Sequence, residues 1–143
     1  DQNWRRWAFE ASCQVTKKVE YLGLEDIIEI GEAIISDFRI RDLGLLQSAT
    51  HRPATQIYGR DAYPTLAEKI AALMHSLASN HTLVDGNKRL TWSCGRLFAM
   101  LNDMDFEVDI DEAEEVIVAL ASGKIDAKKL APIIERWLIN DRQ

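Results

Sequence analysis

Cysteine is scarce. Cys13 and Cys94 are the only two in 143 residues, and no short spacing relates them. A disulfide framework and a cysteine-based zinc signature are both excluded. Cys94 falls inside a helical pattern and reads as a small buried hydrophobe. This usage fits a reducing, cytoplasmic setting. Long apolar runs are missing too: none approaches the roughly eighteen residues that a membrane helix requires. The first twenty residues carry charges throughout and have no apolar core run, so they do not read as a secretory signal. Positive charge is not in excess. A net charge of −6 argues against a general nucleic-acid binder, because a polyanion needs a basic surface or stripe. Arg5-Arg6, Lys17-Lys18, Lys88-Arg89 and Lys128-Lys129 leave room only for a local patch. Internal repeats and low-complexity segments are absent as well. The hydrophobic share of 47% and charged share of 28% are those of an ordinary globular domain. The length suits a single domain with a substantial core.

Residues 1–20 read apart from the rest, as an appendage. Trp4, Trp7 and Ala8 share one helical face, as in a docked amphipathic helix, a segment ordered by a partner, or an expression leftover. The body, residues 21–143, reads as helical. Apolar residues at 24, 27, 28, 30, 34, 35 and 38 predict a helix from Leu24 to Phe38. Arg39 to Ala62 contains Gly44, Pro53 and Gly59. It is expected to be a long loop with an extended piece at Ala54 to Tyr58, and such loops are more often functional than idle. A helix follows from about Thr65 to Ser79, with Pro64 near its first turn and Thr65 and Glu68 spaced as a capping box. Further helices are expected over Asn87–Leu101, Asp111–Ala121 and Asp126–Leu138, the last with Pro132 in its first two turns. Phe106 to Asp109 reads as a short extended link.

Nine residues carry the chemistry: His81-Thr-Leu-Val-Asp-Gly-Asn-Lys-Arg89. They enter a helix, whose first N–H groups and dipole favour an anion. His81 can take a proton from a hydroxyl near neutral pH. Asp85 is a carboxylate of the kind that shares magnesium with phosphate oxygens. Gly86 allows backbone to approach a ligand, and the Asn87 amide can cap the helix or donate to phosphate. Lys88 and Arg89 are cations at the helix end that disfavours them, so an anion there would offset them. Arg89 offers a bidentate fork and Lys88 a point charge. Leu83 and Val84 are expected to anchor the loop on the core. Singly, each residue has a plainer reading: His81 as a helix C-cap, Asp85 as an N-cap, Gly86 as a turn, Lys88 and Arg89 as a solvated pair. Together they point to a phosphorylated substrate.

This run resembles the signature of the Fic/Doc family, His-x-Phe-x-[Asp/Glu]-[Gly/Ala]-Asn-[Gly/Lys]-Arg. Leu83 replaces the usual Phe. Trp92 stands where classical Fic enzymes carry a second Arg, and Lys88 stands where adenylylating members carry Gly. Both departures look like the Doc toxin branch. The stretches Arg41 to Ala49 and Tyr63 to Lys69 are also similar to Doc-like proteins, and the resemblance spans about Tyr21 to Trp137.

The resemblance implies an all-α fold, a Fic-like helical bundle with a short β-hairpin flap around Pro53 to Gly59. Thr55, Gln56, Ile57 and Tyr58 of that flap would pair with a target segment by strand addition. It implies that His81 is the base, that Asp85 holds Mg2+, and that Gly86, Asn87, Lys88 and Arg89 bind the phosphates of ATP. A Lys at position 88 fills the space needed by a polyphosphate tail, so ATP would bind with its γ-phosphate by His81 and phosphoryl transfer would result. Doc toxins phosphorylate a translation factor, elongation factor Tu, and are held by a separate antitoxin. The implied partners are therefore a protein target and a cognate antitoxin, with no direct nucleic acid and no membrane. Protein adenylyl transfer and a catalytically silent binding module remain the alternatives. Some relatives carry an inhibitory [Ser/Thr]-x-x-x-Glu-[Gly/Asn] helix, but Thr16 to Glu20 matches only its first part, because Tyr21 follows.

Overall fold

The computed structural model describes residues 18–141. The expectations for Trp4, Trp7, Cys13 and Thr16 lie outside them. Six α-helices and two small antiparallel ribbons make up the described residues, in the order α1 Leu24–Ile34, α2 Leu43–His51, β1 Gln56–Ile57, β2 Arg60–Asp61, α3 Leu66–Ser79, α4 Asn87–Leu101, β3 Met104–Phe106, α5 Ile110–Ala121, α6 Ala127–Trp137 and β4 Leu138–Asn140. The mostly α architecture expected from the sequence is what forms.

α3 is the central post. Ile70, Ala71, Ala72, Leu73, Met74 and Leu77 are at most 1% exposed, which marks a helix covered on nearly all sides. Each large apolar side chain removed from water there contributes about 1.5–3 kcal/mol. Thr65 caps it as the sequence indicated: its Oγ1 accepts from the Glu68 N–H at 3.1 Å and donates to Glu68 Oε1 at 3.0 Å. α4 and α6 pack along α3. Gly95 of α4 admits Met74 so closely that a Cβ would lie 2.5 Å from its sulfur.

α1 is shorter than expected. Ile35 is extended (φ −116°, ψ 116°) and ends it. Phe38 then folds back, and its ring occupies the space a side chain on Gly31 would need. The apolar spacing ran on through Phe38 because both segments feed the same core.

The expected long loop contains a helix. α2 is capped by Asp42, whose Oδ1 accepts from the Leu45 N–H at 3.0 Å, and buries Leu46, Ala49 and Thr50. A 3-10 turn at Arg52–Ala54 leads into the hairpin. There Gln56 pairs with Asp61 and Ile57 with Arg60. Tyr58 is not extended: it and Gly59 have positive φ (51° and 76°) and form the two-residue turn. Lys69 of α3, only 1% exposed, fixes the hairpin root. Its Nζ donates to Asp61 Oδ2 at 3.0 Å and to the Tyr63 carbonyl at 2.6 Å.

α5 begins under an Asp109 cap and α6 under an Asp126 cap. Instead of a plain link after α4, Met104–Phe106 pairs with Leu138–Asn140. This ribbon brings Phe106 and Trp137 against Trp92 of α4, with ring centroids 5.6 and 6.2 Å from it.

Candidate active site

The loop between α3 and α4 is held from both sides. On one side it pairs with the segment after α1. Arg41 and Asp42 N–H groups donate to the Thr82 carbonyl at 2.8 and 3.1 Å, and the Val84 N–H donates to the Arg39 carbonyl at 3.0 Å. On the other side it closes on itself through Asn87. The Asn87 Oδ1 accepts from the Leu83 N–H at 2.9 Å, and its Nδ2 donates to the Leu83 carbonyl at 3.1 Å. The amide is thus engaged at both ends, and Asn87 shapes the loop. Leu83 is buried as an anchor, but Val84 is 52% exposed and is not one.

α4 starts differently from its neighbours. Its N-cap, Gly86, has no side-chain acceptor and sits at φ 90°. Asp85 turns its Oδ1 onto the Gly86 N–H at 2.8 Å instead of capping the helix. The first turn carries no acidic residue, only the exposed cations Lys88 and Arg89, and neither has an ion-pair partner among the described residues. An uncapped N-terminus with adjacent cations is a place for an anion.

A cleft of about 550 Å³ opens there. His81, Asp85, Gly86, Asn87, Lys88 and Arg89 all line it. The structure therefore brings together all six motif residues singled out in the sequence. His81 has φ 49°, is exposed, and its ring has no hydrogen-bond partner among the described residues. It is not the cap of α3, a position held by Asn80.

Asp37 and Arg39, paired at 3.0 Å, also line the cleft together with Ser36 and Ile35. Sequence reasoning missed these four, because the break after α1 that folds them over the loop has no local signal. Three cations now face two carboxylates, a balance that suits a polyphosphate. Among the described residues no group of three or more metal-ligating side chains exists. The donor set fits a magnesium ion shared between the Asp85 carboxylate and phosphate oxygens, and it does not fit an all-protein cage.

The flap residues Thr55, Gln56, Ile57 and Tyr58 do not line this cleft. They are exposed on the hairpin anchored by Lys69 near the start of α3. A larger cleft of about 840 Å³ lies between α3 and α6, away from the motif. In it Arg52 bonds Tyr63, Ser76 and His75. Burial first, and the Arg52 charge second, hold the His75 imidazole below its ordinary pKa. Burial pushes the Cys94 thiol up to about 12, so it is not a nucleophile.

A family model described as Fic/DOC family matches residues 21–99. The chain belongs to the Fic/DOC family. It is also 42% identical over 115 residues to Toxin Doc of Mycolicibacterium smegmatis, across 78% of this chain and 88% of that protein. The family match takes in the whole motif loop, residues 81–89. Family members generally move phosphate or nucleotide onto proteins and use ATP. No helix among the described residues is long and apolar enough to cross a membrane.

Proposed function

We propose that this chain is a Doc-type toxin that transfers the γ-phosphate of ATP to a Ser or Thr hydroxyl of a target protein. The observation that carries this reading is Lys88. It lines the motif cleft and also the neighbouring cleft between α4 and α5, which supports a reading in which its ammonium takes the room that a polyphosphate tail would need beyond His81. The donor then lies with its γ-phosphorus nearest the imidazole.

His81 takes the hydroxyl proton. The hydroxyl oxygen bonds to the γ-phosphorus, the bond from that phosphorus to the β–γ bridging oxygen breaks, and ADP leaves. Arg89, Lys88 and the free N–H groups at the start of α4 hold the phosphate oxygens. Magnesium on Asp85, when bound, neutralises phosphate charge. The target we propose is a translation factor such as elongation factor Tu. The name of the M. smegmatis relative supports a toxin role, with a cognate antitoxin as partner.

Incubating the chain and its target with γ-labelled or α-labelled ATP tests the reaction. Transfer of the γ label is expected, and lost in His81→Ala. Transfer of the α label would replace this reading with adenylyl transfer.

A further inference from the structure

The start of α4 supplies two cations to the motif cleft, Lys88 and Arg89, and a third, Arg39, comes from the segment between α1 and α2. The backbone of that segment is fastened to the motif loop. The Arg39 carbonyl accepts the Val84 N–H at 3.0 Å, Ile40 forms a bridge with Leu83, and the Arg41 N–H donates to the Thr82 carbonyl at 2.8 Å. The Arg39 side chain therefore springs from a fixed point and lines the same cleft as His81, Asp85 and Gly86.

The side chain itself is loosely held. Among the described residues its ion-pair partner is Asp37, with Nη2 3.0 Å from Oδ2, and the two side chains are 62% and 76% exposed. Arg96 shows what a tightly held pair looks like in this chain: its Nε and Nη2 donate to the two carboxylate oxygens of Asp105 at 2.9 and 3.2 Å. A single exposed contact is weak in water, and it leaves most of the guanidinium N–H donors unspent.

We propose that Arg39 is a phosphate-binding residue held in reserve by Asp37. When the donor enters the cleft, the guanidinium exchanges the carboxylate for phosphate oxygens. The inference rests on the phosphotransfer reading and adds to it a residue from outside the motif. A polyphosphate brings several negative charges against the one on Asp37, and its oxygens accept the guanidinium fork in two parallel bonds, so the phosphate wins the exchange. Until then Asp37 offsets one of the three like charges that share the cleft.

The test uses the full chain carrying His81→Ala to prevent turnover, titrated calorimetrically with ATP and with inorganic tripolyphosphate in magnesium buffer. Arg39→Gln should weaken both ligands by about tenfold, the effect of a lost hydrogen bond between charged groups. Arg39→Lys keeps the charge without the fork and should fall between Arg39→Gln and the parent. Asp37→Asn frees the guanidinium and should tighten both ligands by about twofold to fivefold, the size of an exposed ion pair. Asp37→Asn combined with Arg39→Gln has the net charge of the parent and should still bind well below it. Both side chains are exposed, so each variant should melt close to the parent. Parent-like affinity in the double variant would mean that only the summed charge of the cleft counts, and would overturn the inference. Unchanged or weaker binding in Asp37→Asn would overturn it as well, since the carboxylate would then not be competing with the donor. Weakened ATP with unaltered tripolyphosphate in Arg39→Gln would place the guanidinium on the nucleoside instead, and unaltered affinity for both would place it outside the donor site; each outcome overturns the inference and leaves the phosphotransfer reading standing. A parent chain that binds neither ligand would remove that reading, and this inference with it.

Discussion

Gly86 stands under two separate constraints. Its φ of +90° is open to glycine, and an added Cβ would lie 2.7 Å from Ile35 Cδ1. Gly86→Ala should therefore destabilise the fold by about 1–2 kcal/mol from backbone strain alone, with the collision in addition. In urea unfolding, Ile35→Ala combined with it should cost less than the sum of the two single changes. Strict additivity would remove Ile35 as the neighbour that forbids a side chain. Thr82 is the opposite case. It is fully buried, and its Oγ1 is the single buried side-chain oxygen or nitrogen without a partner among the described residues. Thr82→Val keeps the shape and removes an unmet hydroxyl, so it should stabilise by about 1 kcal/mol. A loss of that size would mean the hydroxyl has a partner. At this scale the lining of the motif cleft was legible because most of it comes from nine consecutive residues. Asp37 and Arg39 were not, because only the turn after Ile35 carries them to His81. The Asn87 amide was read as a phosphate donor or helix cap; its two bonds to Leu83 depend on a loop closure that spacing does not reveal.

Elements with strong caps were read well. Thr65, Asp109 and Asp126 each accept from the backbone N–H three residues on, and the helices behind them begin where the sequence placed them, within a residue. α2 was lost in the long loop because Gly44 and a run of small and polar residues dilute its pattern, although Asp42, Leu46, Ala49 and Thr50 have helical spacing. The hairpin was seen as extended backbone, but its turn was not, since Tyr58-Gly59 lacks the Asn or Asp that usually marks two left-handed positions. What holds the hairpin down is Lys69. Its hydrogen bond to Asp61 is the chief cause, ahead of Gln56, that keeps the Asp61 carboxyl below its usual range. A depressed carboxylate stabilises fully above the ordinary range and ceases to do so as pH falls through the lower folded value. The anchor should therefore weaken only in acid, below about pH 4. Lys69→Met keeps the buried stem and removes the ammonium. Limited proteolysis at pH 7 should then cut faster within residues 56–60, and the acid-dependent part of the unfolding curve should shrink. Cutting at the wild-type rate would show that the pair does not restrain the hairpin.

Across the whole molecule, α4 separates two ends with different duties. Its N-terminus faces the motif cleft. Its C-terminus holds the chain entering the body: Asn102 Oδ1 accepts from the Glu20 N–H at 2.8 Å, and Asn102 Nδ2 donates to the Glu20 carbonyl at 2.8 Å and to the Phe98 carbonyl at 2.9 Å. A helix of 15 residues is about 22 Å long, several times the reach of a Glu side chain. Glu20 is thus fixed at the wrong end to block the motif cleft, which counts against the inhibitory role that the partial Thr16 to Glu20 match suggested. The sequence could not decide this, because the match is local and the separation is a property of the folded helix. Glu20→Ala should leave label transfer and growth arrest unchanged. Asn102→Ala should lower stability, since it releases both bonds to the entering chain and leaves the last turn of α4 with an unmet carbonyl. A gain in label transfer from Glu20→Ala, with unchanged thermal melting, would mean that this glutamate does reach the motif cleft and that the entering chain leaves Asn102 to do so.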